Sequence, residues 1–251
     1  MSEFKEAFYT EDRECIKISE YEDRLHYKNI YCPECFVAPL HIVRRQNSVP
    51  FFASNRKEEH TENCQHYGER TSNRYLSKLV KSNLTEDKER LEFLVQKDLQ
   101  KTMNQFYTRE LIKQGKVANN TYNSQMSSTR TLTREQRDES IFRVNIKKLS
   151  RYNNDYTDNY IILWGNADVE SSEKVELNRT TKDKFKIKKL DFKINNVTQF
   201  SISLTGSKLN YYQDLERNPM NVNFAVFGQL KENNNYLELK VLTTKHLKFI
   251  V

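Results

Sequence analysis

The 251 residues carry 41 Lys plus Arg against 34 Asp plus Glu, and a pI near 9.0 suits a polyanionic partner. Only 37% of the residues are hydrophobic, mean hydropathy is −0.86, and no apolar run approaches the roughly 20 residues that a membrane span needs. The length allows two small domains or one domain with a long insertion, and a charged N-terminus without a secretory apolar core predicts a cytoplasmic protein with reduced cysteines.

The first elements are short. Ile16-Lys17-Ile18 is strand-like, and Cys15 beside it, with no second cysteine at a telling spacing, reads as a small buried side chain. His26 and His41 read as ordinary loop or strand residues. Cys32-Pro33-Glu34-Cys35 then sets a C-x2-C pair, and His60 with Cys64 follows at an H-x3-C interval. Each pair fits one tight turn, and a loop that folds back brings the two turns together. Thiolates and an imidazole in this pattern select Zn2+ over magnesium or calcium, which prefer oxygen. A filled Cys3His shell leaves no place for a water, so the expected role is structural. His66, two residues past Cys64, is the alternative fourth ligand.

Three segments also carry a resemblance: Tyr31-Cys32-Pro33-Glu34-Cys35, Pro50-Phe51-Phe52-Ala53-Ser54, and His60-Thr61-Glu62-Asn63-Cys64. Together they resemble the zinc-binding N-terminal region of competence protein CoiA-like proteins, over roughly the first 65 residues. That family runs from a Cys-Pro-x-Cys knuckle through two short strands to a His-x3-Cys pair. Phe51 and Ser54 stand where the family usually has histidines. The resemblance implies a zinc module, often coupled to a nuclease-like domain and to DNA processing.

Next, the pattern turns helical. A short helix is expected over about 73–82, with Leu76, Leu79 and Val80 inward. Thr85 reads as an N-cap followed by Glu86 and Asp87 in the first turn. Leu91, Val95, Leu99 and Met103 recur every fourth residue, which predicts an amphipathic helix to about Ile112 that stops near Gly115. From 117 to 139 the chain is polar and lacks any period, as a linker would.

Beyond 140 the period changes to two. Strands are expected at 141–146, 160–164, 185–194, 200–204, 222–228, 236–242 and 247–251, with a hairpin turn at Glu232-Asn233-Asn234-Asn235. Such a run of short antiparallel strands suggests a small OB-like barrel, with a β-sandwich as the other solution. Phe185 and Phe192 are expected in its core. Between them, Lys184, Lys186, Lys188, Lys189 and Lys193 line a basic strand with a bulge at Lys188-Lys189. With Tyr211 and Tyr212 nearby, this is the candidate nucleic-acid face: charge for phosphates, rings for bases.

Glu238-Leu239-Lys240, with Asp214 upstream, matches the tripeptide of PD-(D/E)xK nucleases. A nuclease core needs a further helix and strand after it, and only about ten residues follow. The expectation is therefore an α+β protein in four parts. A zinc-stapled β module spans 1–70, a helical connector 71–116, a polar linker 117–139, and a β-rich OB-like domain 140–251. Its expected function is non-enzymatic nucleic-acid binding, to DNA in preference to RNA and without membrane association. The alternatives are a protein-interaction adaptor and the nuclease.

Overall fold

A computed structural model describes residues 3–46, 48–54, 60–67, 69–116, 139–149, 155–177, 184–206, 221–233 and 236–250. The expected linker, except Glu139, lies outside them, as do Tyr211, Tyr212 and Asp214. In chain order the elements begin with β1 (Glu3–Phe4), β2 (Glu6–Tyr9), β3 (Glu14–Lys17), α1 (Asp23–His26), β4 (Ile30–Tyr31), β5 (Leu40–Val43), β6 (Phe51–Ser54) and β7 (Glu69–Arg70). Then come α2 (Asn73–Lys81), α3 (Thr85–Lys113), β8 (Glu139–Ser140), β9 (Arg143–Asn145), β10 (Tyr160–Leu177), β11 (Lys184–Ile194), β12 (Val197–Thr205), β13 (Val222–Asn233), β14 (Tyr236–Lys240) and β15 (Leu247–Ile250).

The chain divides into two compact units that are not simple halves: Met1–Arg70 with Gln100–Ser140, and Thr71–Leu99 with Ile141–Val251. The 71–116 stretch is divided between the two units at Leu99/Gln100. No helix of the described residues is long and apolar enough to cross a membrane.

Unit 1 is built from two small antiparallel sheets, β1-β6-β5 and β3-β2-β4, plus the parallel pair β7-β8. Its core gathers Phe4, Phe8, Ile30, Phe36, Leu40 and Phe52, together with Ile112 from the last turns of α3. That helix ends where the sequence puts its glycine. Gly115 has φ +69, its N–H reaches the Ile112 carbonyl at 2.9 Å, and the Lys116 N–H reaches Leu111 at 3.0 Å. This is the Schellman arrangement, which needs a left-handed residue past the helix end. Cys15, on β3, is exposed, contrary to the expectation; its strand is largely exposed along its length.

In unit 2, Ser72 caps α2 by accepting the Tyr75 N–H at 3.2 Å, and Leu76 and Leu79 are buried. The sheet runs β15-β13-β14-β12-β11-β10-β9, with a further pairing between β13 and β10. That pairing closes a ring of five strands, β10-β11-β12-β14-β13, in which β12 and β14 are parallel and the other contacts antiparallel. β10 makes closure possible by serving twice. Residues 160–167 pair with β13 and residues 168–177 pair with β11. Gly165 (φ +154) lies in the first segment, where a Cβ would sit 2.4 Å from Ile146. The inside of the ring is filled by Ile161, Leu163, Val169, Leu190, Phe192, Phe200, Ile202, Phe224 and Leu239.

Between β11 and β12 the chain reverses in two residues, Asn195 and Asn196, both at positive φ (49° and 61°). A type I′ hairpin demands that geometry, and asparagine tolerates it. From α3, Asp98 accepts the Ile141 N–H at 2.5 Å, and Glu92 meets the buried His246 at 2.9 Å.

Candidate metal centre and candidate nucleic-acid face

β4 delivers the chain into Cys32, and the knuckle turns back at once. The Phe36 N–H donates to the Cys32 carbonyl at 2.8 Å, and the Cys32 N–H donates to Ala38 at the same distance. The Glu34 N–H points at the Cys32 sulfur, 3.4 Å away. This turn forces Phe36 to φ +60, a conformation that costs a residue with a Cβ about 1–2 kcal/mol. The ring of Phe36 lies parallel to Phe8 with centroids 3.9 Å apart, and burial there offsets the strain. The second turn is similar: the Cys64 N–H donates to Thr61 at 2.8 Å, and the His66 backbone N–H reaches the Cys64 sulfur.

The two turns bring together the four residues that the spacing singled out. The donor atoms of Cys32, Cys35, His60 and Cys64 all lie within 4.8 Å of one another, and all four residues are buried. The Cys32 and Cys64 sulfurs are 4.0 Å apart, and His60 Nδ1 is 3.6 Å from Cys35 Sγ and 3.4 Å from Cys64 Sγ. Tetrahedral zinc with bonds of about 2.3 Å to sulfur and 2.0 Å to nitrogen has edges of about 3.8 Å and 3.5 Å. The donor set therefore fits such an ion. His66 is not among these donors; its ring packs edge-on against Phe4 at 4.7 Å.

The electrostatics of the cluster are compatible with a bound cation. Burial pushes the Cys32 and Cys64 thiols well above the ordinary thiol range. Burial pushes Cys35 the same way, but hydrogen bonds from Cys32, Cys64 and His60 overcome it and hold Cys35 well below that range. One thiolate is thus stabilised by its neighbours, whereas three buried thiolates need a positive ion between them.

Three further residues support the site; Gln105 and Arg109 carried no sequence signal, and Ser54 was marked only as standing at a histidine position of the resembled family. Ser54 ends β6 with its Oγ 3.2 Å from His60 Nε2. When Nδ1 faces the sulfurs, Nε2–H donates to Ser54, which fixes both tautomer and ring orientation. From α3, the Gln105 side chain donates to the Glu34 carbonyl, and the Arg109 guanidinium sits 4.6 Å over the Phe36 ring.

The lysines of β11 do not form the single face that their spacing predicts. The β10–β11 register is continuous from Leu177↔Lys184 to Asp168↔Lys193, so there is no slip at Lys188-Lys189. The irregularity falls at Phe192/Lys193, against β12. Lys188 therefore shares the inward side with Leu190 and Phe192 and is 4% exposed. Lys189 pairs with Asp191 at 2.9 Å, and Lys193 pairs with Glu170. Lys184 and Lys186 are exposed, and so is Phe185 (37%), contrary to the expectation that it lies in the core. Above this strand, Lys189 Nζ lies 5.6 Å from the ring of exposed Tyr236. Glu238 accepts the Asn233 side-chain amide at 2.7 Å and sits opposite Lys231.

Comparison of the chain with protein-family models, curated proteins and solved structures gives no match.

Proposed function

We propose that this protein is a zinc-containing, non-enzymatic binder of single-stranded nucleic acid, DNA in preference to RNA. Zinc is favoured over harder cations because the donors are three sulfurs and one imidazole nitrogen at tetrahedral separations. With all four positions filled by protein, the ion braces the fold and has no open position for chemistry.

One observation carries the nucleic-acid reading: the closed order β10-β11-β12-β14-β13. Such a strand order supports reading the ring as an OB-like barrel, a fold in which the second and third strands and the adjoining loops take up oligonucleotides. Here the second strand is β11. It presents Lys184, Phe185 and Lys186 to solvent at its start and Lys189 beside Tyr236 further along. Cations next to accessible rings suit a strand whose phosphates and unstacked bases are both exposed. The resemblance of the metal module to CoiA-like proteins supports DNA as the polymer.

The test is fluorescence anisotropy of the zinc-loaded protein with labelled single-stranded and duplex oligonucleotides across a salt series. Lys184→Glu, Lys186→Glu and Lys189→Glu are combined in one variant. Tight single-strand binding that weakens with salt, and that the variant reduces, is the expected result. Absence of binding by the wild type at low salt would sink the reading and favour a protein-interaction adaptor, recognisable by a partner complex that survives nuclease.

A further inference from the structure

Unit 1 carries a second set of cations, and these are held differently from the lysines of β11. Lys28 Nζ stands 5.3 Å over the Tyr27 ring, Arg44 lies 5.9 Å from the Tyr21 ring, and Arg45 lies 5.2 Å from the Phe51 ring. Three cation–ring pairs thus fall between Tyr21 and Phe51, each a contact of the kind that attracts a cation to a ring face. The pairs are connected. The Tyr21 ring also contacts His26 and Phe52, each at 5.5 Å, and these neighbour Tyr27 and Phe51 in the chain.

Charge balance separates this patch from the barrel strand. Within residues 21–51 the exposed described cations are Arg24, Lys28, Arg44 and Arg45, and the exposed described carboxylates are Glu22 and Asp23. Asp23 is taken up by Arg44 at 3.1 Å. Among the described residues, Lys28 and Arg45 have π-faces for partners and no carboxylate within ion-pair distance. Tyr27 is 65% exposed and offers a ring for stacking beside that charge. On β11, in contrast, Lys189 and Lys193 each have a carboxylate partner.

We infer that the metal module is itself a nucleic-acid contact surface, with Lys28 and Arg45 binding phosphates of a single strand and Tyr27 stacking on a base. The chemistry is that of sequence-tolerant single-strand binders, which alternate cations with aromatic platforms. This inference rests on the nucleic-acid reading above and assigns the metal module a direct part in it.

The experiment uses the full zinc-loaded chain and a labelled oligothymidylate, titrated across a salt series. Lys28→Glu with Arg45→Glu is compared with the milder Lys28→Gln with Arg45→Gln, and with the β11 triple variant. Both positions are exposed, so zinc content and thermal midpoint should match the wild type; the neutral pair serves if the reversed pair misfolds. Loss of two phosphate contacts should weaken low-salt binding by about tenfold or more. It should also flatten the slope of log K against log salt by about 1.4, at about 0.7 per contact on a single strand. Tyr27→Ala should weaken binding without changing that slope. Wild-type affinity and slope in the Lys28/Arg45 variants, while the β11 variant loses binding, would overturn the inference and leave the barrel reading standing. Failure of the wild type to bind the oligonucleotide would overturn both.

Discussion

Ser54 holds His60 from behind: its hydroxyl lies 3.2 Å from Nε2, on the side of the imidazole opposite the three sulfurs. A metal-binding histidine depends on such a partner for its orientation and basicity. Ser54→Ala should keep one equivalent of zinc but weaken its binding by about 10–100-fold. A chromogenic chelator competition reads this directly, and an unchanged affinity would mean that Ser54 does not orient the ligand.

Removing the metal should cost the fold of unit 1. Chelation should lower the thermal midpoint of the wild type, whereas Cys32→Ser should begin low and respond little to chelator. The response should depend on pH in one direction. Cys32 and Cys64 hold their protons above the ordinary thiol range, so zinc must displace about two protons from them at neutral pH. Apparent zinc affinity should therefore fall as pH drops, and proton release on zinc addition to weakly buffered apoprotein is the check. Uptake with no released acid would contradict the assignment of thiolate ligands.

Phe36 allows a test in which glycine should outperform alanine. Phe36→Ala loses the stack on Phe8 and should destabilise by about 3–5 kcal/mol. Phe36→Gly loses the same contacts but escapes the penalty at φ +60, so it should be more stable than the alanine variant by about 1 kcal/mol. Denaturant titration of the two variants side by side decides it. Equal stabilities would show that the turn is not strained.

Tyr9 gives a prediction at high pH. Its hydroxyl donates to Glu11 at 2.6 Å, and that bond, followed by burial and the charges of Glu11 and Asp12, pushes its pKa from 10.0 up to about 12. The folded value lies above the unfolded one. The stabilisation from the bond is thus complete below about pH 10 and lost as pH rises toward 12. Phenolate absorbance should show a late-titrating component, and Glu11→Gln should move the Tyr9 part of it to lower pH. An absorbance titration identical in both proteins would argue against the hydrogen bond.

The clustering of Cys32, Cys35, His60 and Cys64 was legible because their spacing is local: each pair sits on its own turn, and only the meeting of the turns needs the fold. α3 was legible for a similar reason, with Leu91, Val95, Leu99 and Met103 marking one face and Gly115 the end. The lysines of β11 were misread because strand alternation tells which residues share a side but not which side is inward. The register against β10 and β12 decides that, and it buries Lys188 beside Leu190. β10 itself runs thirteen residues past the Trp164 at which the expected strand stopped. Its distal half, Glu170-Ser171-Ser172-Glu173-Lys174-Val175-Glu176, lacks an apolar side because it projects into solvent. Asn195-Asn196 was a readable I′ hairpin signal that the strand pattern overshadowed.

The interleaving of the two units along the chain has a consequence for dissecting the gene. A fragment ending at Arg70 contains every proposed zinc ligand but lacks Gln105, Arg109 and Ile112, which brace the knuckle and complete its core. A fragment starting at Ile141 contains every ring strand but lacks Asn73, Glu92 and Asp98, which meet Tyr160, His246 and Ile141. Separate expression of the two halves would therefore yield pieces that are each missing a wall. Loss of activity in such truncations would report broken packing and would say nothing about which unit touches the ligand.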